Sequence, residues 1–179
     1  MAIKNRPEFE KFIRRVEKSS DEFRASSTEK RHSKQYRTAR ENLAHLVDEN
    51  SFLEFGQFAV AAQRSRRDYE ELQDKTNADG IITGFCSVNS ELVGAENSQA
   101  VAIVYDYSVL AGTQGAFHHL KLDRICDQAK KFHLPIVIFT EGGGGRPGDT
   151  DVLIQMAGLH IPSFSTWAQL TGSSLKIAV

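Results

Sequence analysis

Cysteine is scarce in this chain, and its two copies sit far apart. Cys86 and Cys126 are the only two in 179 residues. They lack the short spacing of a zinc site, so they read as buried thiols rather than a metal or disulfide pair. The six histidines form no HExxH or comparable cluster, so no metal is expected. Long apolar runs are missing as well. Nothing approaches the ~18 consecutive apolar residues of a membrane helix, and residues 1–7 hold no apolar signal core. A cytoplasmic location and no membrane partner are expected. An excess of charge is also absent. Lys and Arg number 22 against 23 Asp and Glu, a net charge of -1, which argues against nucleic acid and anionic surfaces as partners. Several catalytic signatures are absent too. There is no GxSxG elbow. Gly145-Arg146-Pro147-Gly148-Asp149 supplies no phosphate-loop lysine. A GxGxxG pattern laid on Gly143, Gly145 and Gly148 is broken by Pro147.

What the chain does have is an ordinary globular composition, 40% hydrophobic and 25% charged, and enough length for one sizeable core. Its organising stretch is Glu141-Gly142-Gly143-Gly144-Gly145-Arg146-Pro147-Gly148-Asp149-Thr150-Asp151. An apolar run over 134–140 precedes it, and a segment of helical spacing over about 152–158 follows. This reads as a buried strand, a turn nearly without side chains, and a helix. Consecutive free N–H groups at such a turn can hold an anion or an oxygen that gains negative charge. Asp149 and Asp151 read as acids favouring the following helix's N-terminus.

Residues 8–24 carry Phe9, Phe12, Ile13, Val16 and Phe23 at mostly helical spacing, an amphipathic helix expected to pack on its own domain. A polar stretch over 25–34 reads as a linker or solvated loop. Thr38 with Glu41 gives a capping box, opening a helix that carries Ala39, Leu43, Leu46 and Val47 inward. Residues 64–77 read as a charged, exposed excursion with a possible helical turn. Strands are expected over 81–86 and 100–107, and a helix over 116–132 with Phe117, Leu120, Ile125, Cys126, Ala129 and Phe132 buried. His118 and His119 read as surface or packing residues, and Asp106 as structural. Leu175 to Val179 is a last apolar run. The repeated strand–turn–helix pattern indicates an α/β layer.

Four stretches and the glycine turn then resemble one family. His32-x-Lys34 with Thr38-Ala39-Arg40-Glu41-Asn42-Leu43, the run Leu46 to Glu54, Ala78-Asp79-Gly80-Ile81-Ile82-Thr83-Gly84, and Tyr105-Asp106-Tyr107-Ser108-Val109 with Gly112, His118 and Lys121 occur in the right order. Gly142 to Arg146 sits where the family has S-G-G-A-R. The chain resembles, over about 30–179, the N-terminal part of biotin-dependent acyl-CoA carboxyltransferases, the carboxyltransferase component of acetyl- and propionyl-CoA carboxylases. Gly142 and Gly145 replace the usual Ser and Ala, which places the chain in a divergent branch.

The resemblance implies a crotonase/ClpP-like layer of ββα repeats, incomplete and preceded by N-terminal helices. Residues 1–37 would be a helix and polar linker, and 38–179 the first half of the carboxyltransferase domain. It implies carboxyl transfer from carboxybiotin, carried on another protein or domain, to an acyl-CoA through a thioester enolate. Gly143, Gly144 and Gly145 would form half of the oxyanion hole. Gly112, Lys121 and Arg146 are the candidates for substrate binding. Lys121 reads alternatively as a solvated helix lysine, and Arg146 as an anchor of the turn. The implied partners are acyl-CoA, the biotin carboxyl carrier and biotin carboxylase components, and further copies of the chain in a homo-oligomer. The second half of the hole is expected beyond Val179, so this length of chain is expected to be inactive alone. Two other readings stand beside this one. A biotin-free crotonase-like hydratase, isomerase or decarboxylase would need an acid/base carboxylate, for which Glu141 is the local candidate. A non-catalytic assembly domain would use the N-terminal helix and the α/β layer to bind subunits.

Overall fold

The computed structural model describes residues 6–152 and 162–179. Three helices come first: α1 (Pro7–Glu17), α2 (Ala25–His32) and α3 (Ala39–Leu46). Then follow β1 (Leu53–Phe55), α4 (Tyr69–Lys75), a 3-10 turn at Asn77–Gly80 and β2 (Ile81–Ser87). After α5 (Ser90–Val93) come β3 (Gln99–Tyr105), a 3-10 turn at Leu110–Gly112, α6 (Ala116–Phe132), β4 (Ile136–Phe139), α7 (Pro162–Gln169) and β5 (Lys176–Ala178).

The five strands pair in sequence order. β1–β2 and β2–β3 are antiparallel, while β3–β4 and β4–β5 are parallel. Parallel neighbours need a crossover, and α6 supplies the one between β3 and β4. Both sheet faces are covered, which is why β3 reads as one continuous apolar run. Ile81, Val101, Ile103, Tyr105, Ile136 and Ile138 face Leu122, Ile125, Cys126 and Ala129 of α6. Ile82, Cys86, Ala100, Ala102 and Val104 face Ala39 and Leu43 of α3. The capping box that opens α3 is present: the Glu41 N–H donates to Thr38 Oγ1 (3.0 Å), and the Thr38 N–H to Glu41 Oε2 (2.7 Å).

Four expectations change. The helix expected over 8–24 ends at Glu17, and residues 18–24, Phe23 among them, form turns. Residues 25–32 form a helix rather than a loop. No residue of α2 is buried, so local polarity gave no sign of it; ion pairs from Arg24 and Arg31 hold it in place. In α6, Phe117, Leu120 and Phe132 are exposed, and His118, His119 and Lys121 are buried instead. For the first turns, which hold all of these but Phe132, the reason lies beneath the helix. Its first turns cross the polar backbone of the Asn77–Gly80 turn, which needs donors more than it needs apolar cover. Asp149 does not wait for the following helix: its carboxylate accepts the N–H of Ala116 at 2.8 Å, at the start of α6. Asp151 accepts the N–H groups of Arg64 and Ser65. The helix expected over about 152–158 lies, from 153 on, outside the described residues. α1 leaves Phe9, Phe12 and Ile13 exposed and leans on the domain through Phe12 against Phe58, ring centroids 5.6 Å apart.

Candidate active site at the glycine turn

β4 ends at Phe139, and the chain then lies against the turn that follows β3. Three backbone hydrogen bonds join the two turns. The Gly143 N–H donates to Ala111 O (3.1 Å), the Gln114 N–H to Gly144 O (2.8 Å), and the Arg146 N–H to Gln114 O (2.9 Å). The last two form a parallel bridge between Gln114 and Gly145. The turns pack too closely for side chains. A Cβ on Gly112 would collide with the Glu141 carbonyl oxygen and stand 2.8 Å from Gly142 Cα. Gly112 also has φ +64, a left-handed conformation that costs other residues energy.

Arg146 locks this arrangement from beneath. It is 4% exposed, and its guanidinium pairs with Asp79, which is 0% exposed. Its Nε donates to Thr113 Oγ1 (3.1 Å) and its Nη2 to the Thr113 carbonyl (2.6 Å). Asp79 also accepts the His118 N–H at 2.7 Å. Burial holds the Asp79 carboxyl above the usual carboxylate range, and the adjacent Arg146 offsets this only in part. Ala78 and Asp79 both sit at positive φ, 53 and 51, so the turn before β2 is strained and is held by these contacts.

The sequence-predicted site residues therefore fall into three groups. Gly143 has spent its N–H on Ala111. Gly144 and Gly145 have not: among the described residues neither N–H meets an acceptor. A Cβ on either would meet nothing within 4 Å, so both open to space. Gly144 has φ +82, which turns the backbone so that its carbonyl meets Gln114. Gly112 serves the packing of the two turns. Arg146 and Lys121 face inward rather than toward a ligand. Lys121 Nζ donates to the carbonyls of Ala78 (2.9 Å) and Ile81, and burial pushes its pKa down to about 8. It is not a solvated lysine, and in this arrangement its ammonium is not free for a phosphate. Its position follows from the carbonyls left over by the turn before β2.

Sequence reasoning assigned no role to Asp79, Thr113 or Gln114. Asp79 had a faint signal, as a lone carboxylate directly before an apolar strand. Gln114 acts through its backbone, which no residue type advertises, and Thr113 through its carbonyl as well as its hydroxyl. Glu141 also has a partner that spacing could not show. Its two oxygens accept from Arg31 Nη1 (2.6 Å) and Nη2 (2.7 Å), so α2 is tied to the start of the glycine turn. Arg24 makes a similar tie to Asp106 (2.7 Å) and Ser108 (2.8 Å). Among the described residues no group of three or more His, Cys, Asp or Glu could hold a metal ion.

The α/β layer thus brings two turns face to face at its strand ends, and one of them carries backbone N–H groups that meet no acceptor among the described residues. The sequence profile of the carboxyl transferase domain matches residues 30–158. The chain belongs to that family. It is 31% identical over 118 residues to the methylmalonyl-CoA decarboxylase subunit alpha of Veillonella parvula, a match covering 66% of this chain and 21% of the relative. It is 32% identical over 127 residues to the acetyl-coenzyme A carboxylase carboxyl transferase subunit beta of Prochlorococcus marinus, covering 65% and 41%. The solved structure of a single-chain, multi-domain long-chain acyl-CoA carboxylase superposes with a TM-score of 0.90 at 46% identity, covering 97% of this chain and 17% of that one. The fold is thus the crotonase-like layer of carboxyltransferases. The chain spans only a minor part of the length of these proteins.

Proposed function

We propose that this chain forms the thioester-binding half of a biotin-dependent acyl-CoA carboxyltransferase. The observation that carries the reading is the pair of uncommitted N–H groups on Gly144 and Gly145, set in open space at the end of β4. A thioester carbonyl fits there, because no side chain blocks its approach to the backbone. When the α-carbon loses its proton, negative charge moves to that oxygen, and the two N–H groups hold it. One such donor is typically worth about 3–4 kcal/mol in the transition state. The Gln114 bridge and the Arg146 anchor keep the donors in place, so little reorganisation is needed as charge develops. Carboxybiotin, on a carrier outside this chain, supplies the carboxyl group. The names of the relatives, a decarboxylase subunit and an acetyl-CoA carboxylase subunit, support CoA thioesters as the substrate class.

The structure gives little support to a biotin-free hydratase or isomerase built on Glu141. Both oxygens of that carboxylate already accept from the terminal nitrogens of Arg31, so it is engaged with α2 rather than presented to a substrate.

The relatives are much longer than the matched segment, so the rest of the hole and the biotin site are assigned to other parts of the assembly. The test is carboxyl transfer to a panel of acyl-CoAs by the 179 residues alone and by the complete polypeptide that carries them. Transfer by the complete protein and none by the 179 residues is expected. No carboxylated product from any acyl-CoA with the complete protein would contradict the reading.

A further inference from the structure

The glycine turn has an arginine at each end. At its far end Arg146 is held by Asp79 and Thr113. At its near end Glu141 is held by Arg31, whose Nη1 and Nη2 donate to the two carboxylate oxygens at 2.6 and 2.7 Å. Between these ends, Gly142 to Gly145 have no side chains with which to fix themselves, and glycine has the widest backbone freedom of any residue. Their position is therefore set by the two ends and by the backbone bonds to Ala111 and Gln114.

Arg31 is well held for that task. Its side chain is only 12% exposed. It also donates from Nε (3.0 Å) and Nη2 (2.7 Å) to the Arg37 carbonyl. Its guanidinium carbon lies 5.2 Å from the Tyr36 ring centroid and 5.8 Å from that of Tyr107. Tyr107 belongs to the turn after β3, so Arg31 touches both of the turns that face each other. A fork held on this many sides is preorganised, unlike a solvated surface pair. Yet α2, which carries it, buries no residue, and neither Arg31 nor Glu141 belongs to a core cluster. The bond fixes a location without supporting the core.

We infer that Arg31 is a positioning residue for carboxyl transfer. Through Glu141 it holds the entrance of the glycine turn, so that the N–H groups of Gly144 and Gly145 meet the thioester oxygen. The inference rests on the proposed function and adds to it a residue from outside the α/β layer. The role needs the fork of a guanidinium, not its charge alone. Arg31→Lys keeps the charge but cannot make both bonds to the carboxylate in parallel.

The test measures kcat and KM for carboxyl transfer to an acyl-CoA in the complete polypeptide, for the wild type, Arg31→Lys, Glu141→Gln and the double variant. Each single variant is expected to lower kcat by about 10–100-fold, the effect of a small displacement of the reacting groups. KM should stay within about threefold, and the unfolding midpoint should not move. The double variant should lose no more than the worse single one. The pH dependence of kcat should keep its shape in Glu141→Gln, which it would not if Glu141 exchanged protons with the substrate. Hydrogen exchange of the Gly143 and Arg146 amides, both hydrogen-bonded, should speed up in Arg31→Lys. A kcat within about twofold of wild type in both single variants overturns the inference. A rise in KM alone overturns it by marking Arg31 as a substrate contact, and a lowered midpoint overturns it by marking a tie that supports the core. If the wild type transfers no carboxyl group to any acyl-CoA, the proposed function fails and exchange alone decides the anchor: faster amides in Arg31→Lys support it, and unchanged ones overturn it.

Discussion

Arg146 and Asp79 form a buried ion pair that joins the glycine turn to the turn before β2, 67 residues away in sequence. The guanidinium also reaches Thr113, through Nε and Nη2, so the pair supports the turn after β3 that faces the glycine turn. Arg146→Ala leaves Asp79 buried without its cation, a loss typically of about 3–5 kcal/mol, and should lower the urea midpoint strongly. Asp79→Asn leaves Arg146 Nη1 with Asp149, 3.6 Å away, and should lower it less. The double variant should cost less than the sum, with a coupling of about 1–3 kcal/mol. Additive losses would mean that the two groups act separately.

Gly112 is held by contact as well as by conformation. Gly112→Ala forces a Cβ into the Glu141 carbonyl at a left-handed φ. Overpacking of this kind typically costs about 1–3 kcal/mol, and the strained φ adds to it. The expected outcome is a lower unfolding midpoint together with a disturbed glycine turn, visible as shifted backbone amide resonances of 142–146. A variant with wild-type stability and spectra would show that the two turns are not packed as described.

α2 depends on its ion pairs, since it buries nothing of its own. Asp106→Asn with Glu141→Gln removes the nearer carboxylate of Arg24, leaving Asp21 at 3.9 Å, and the carboxylate of Arg31. Hydrogen exchange of α2 amides should speed up by about tenfold or more, because hydrogen bonds to charged groups contribute about 1.5–3 kcal/mol each. Amides of β3 should keep their protection. Unchanged exchange in α2 would place its stability elsewhere.

His118 ties stability to pH. Burial is the main cause that pushes its pKa down to about 3 from the ordinary 6.5, and the ring lies edge-on to Tyr105, centroids 4.6 Å apart. Between those two values the unfolded chain takes up a proton that the folded chain refuses. The contribution is therefore fully present above pH 6.5 and is lost as pH falls toward 3, at up to about 1.4 kcal/mol per pH unit. Chemical denaturation across pH 7 to 4 should show a steeper loss in the wild type than in His118→Gln. Parallel slopes would contradict a neutral, buried His118.

The sequence revealed some elements and hid others for physical reasons. β2, β3, β4 and α6 were legible because buried strands are apolar throughout and α6 is long. The capping box was legible because Thr38 and Glu41 carry it in their own side chains. α2 was not legible, since its support comes from Asp106 and Glu141, far along the chain. The inward side of α6 was misread at Phe117, Leu120 and Lys121, because the surface beneath its first turns is polar backbone. At the site, the glycine run showed where the backbone is bare. It could not show that Ala111 consumes the Gly143 N–H, while those of Gly144 and Gly145 meet no acceptor among the described residues.

That difference is the centre of the account, and proline and alanine at one position test it. In the complete polypeptide, Gly145→Pro removes the N–H, whereas Gly145→Ala keeps it and places a methyl group where nothing among the described residues stands within 4 Å. The measurement is kcat for carboxyl transfer to an acyl-CoA, with KM recorded beside it. Gly145→Pro is predicted to lower kcat by about 10²–10³-fold with a much smaller change in KM, and Gly145→Ala to lose less than about tenfold. Full activity in Gly145→Pro, or equal losses in the two variants, would contradict the role given to this N–H.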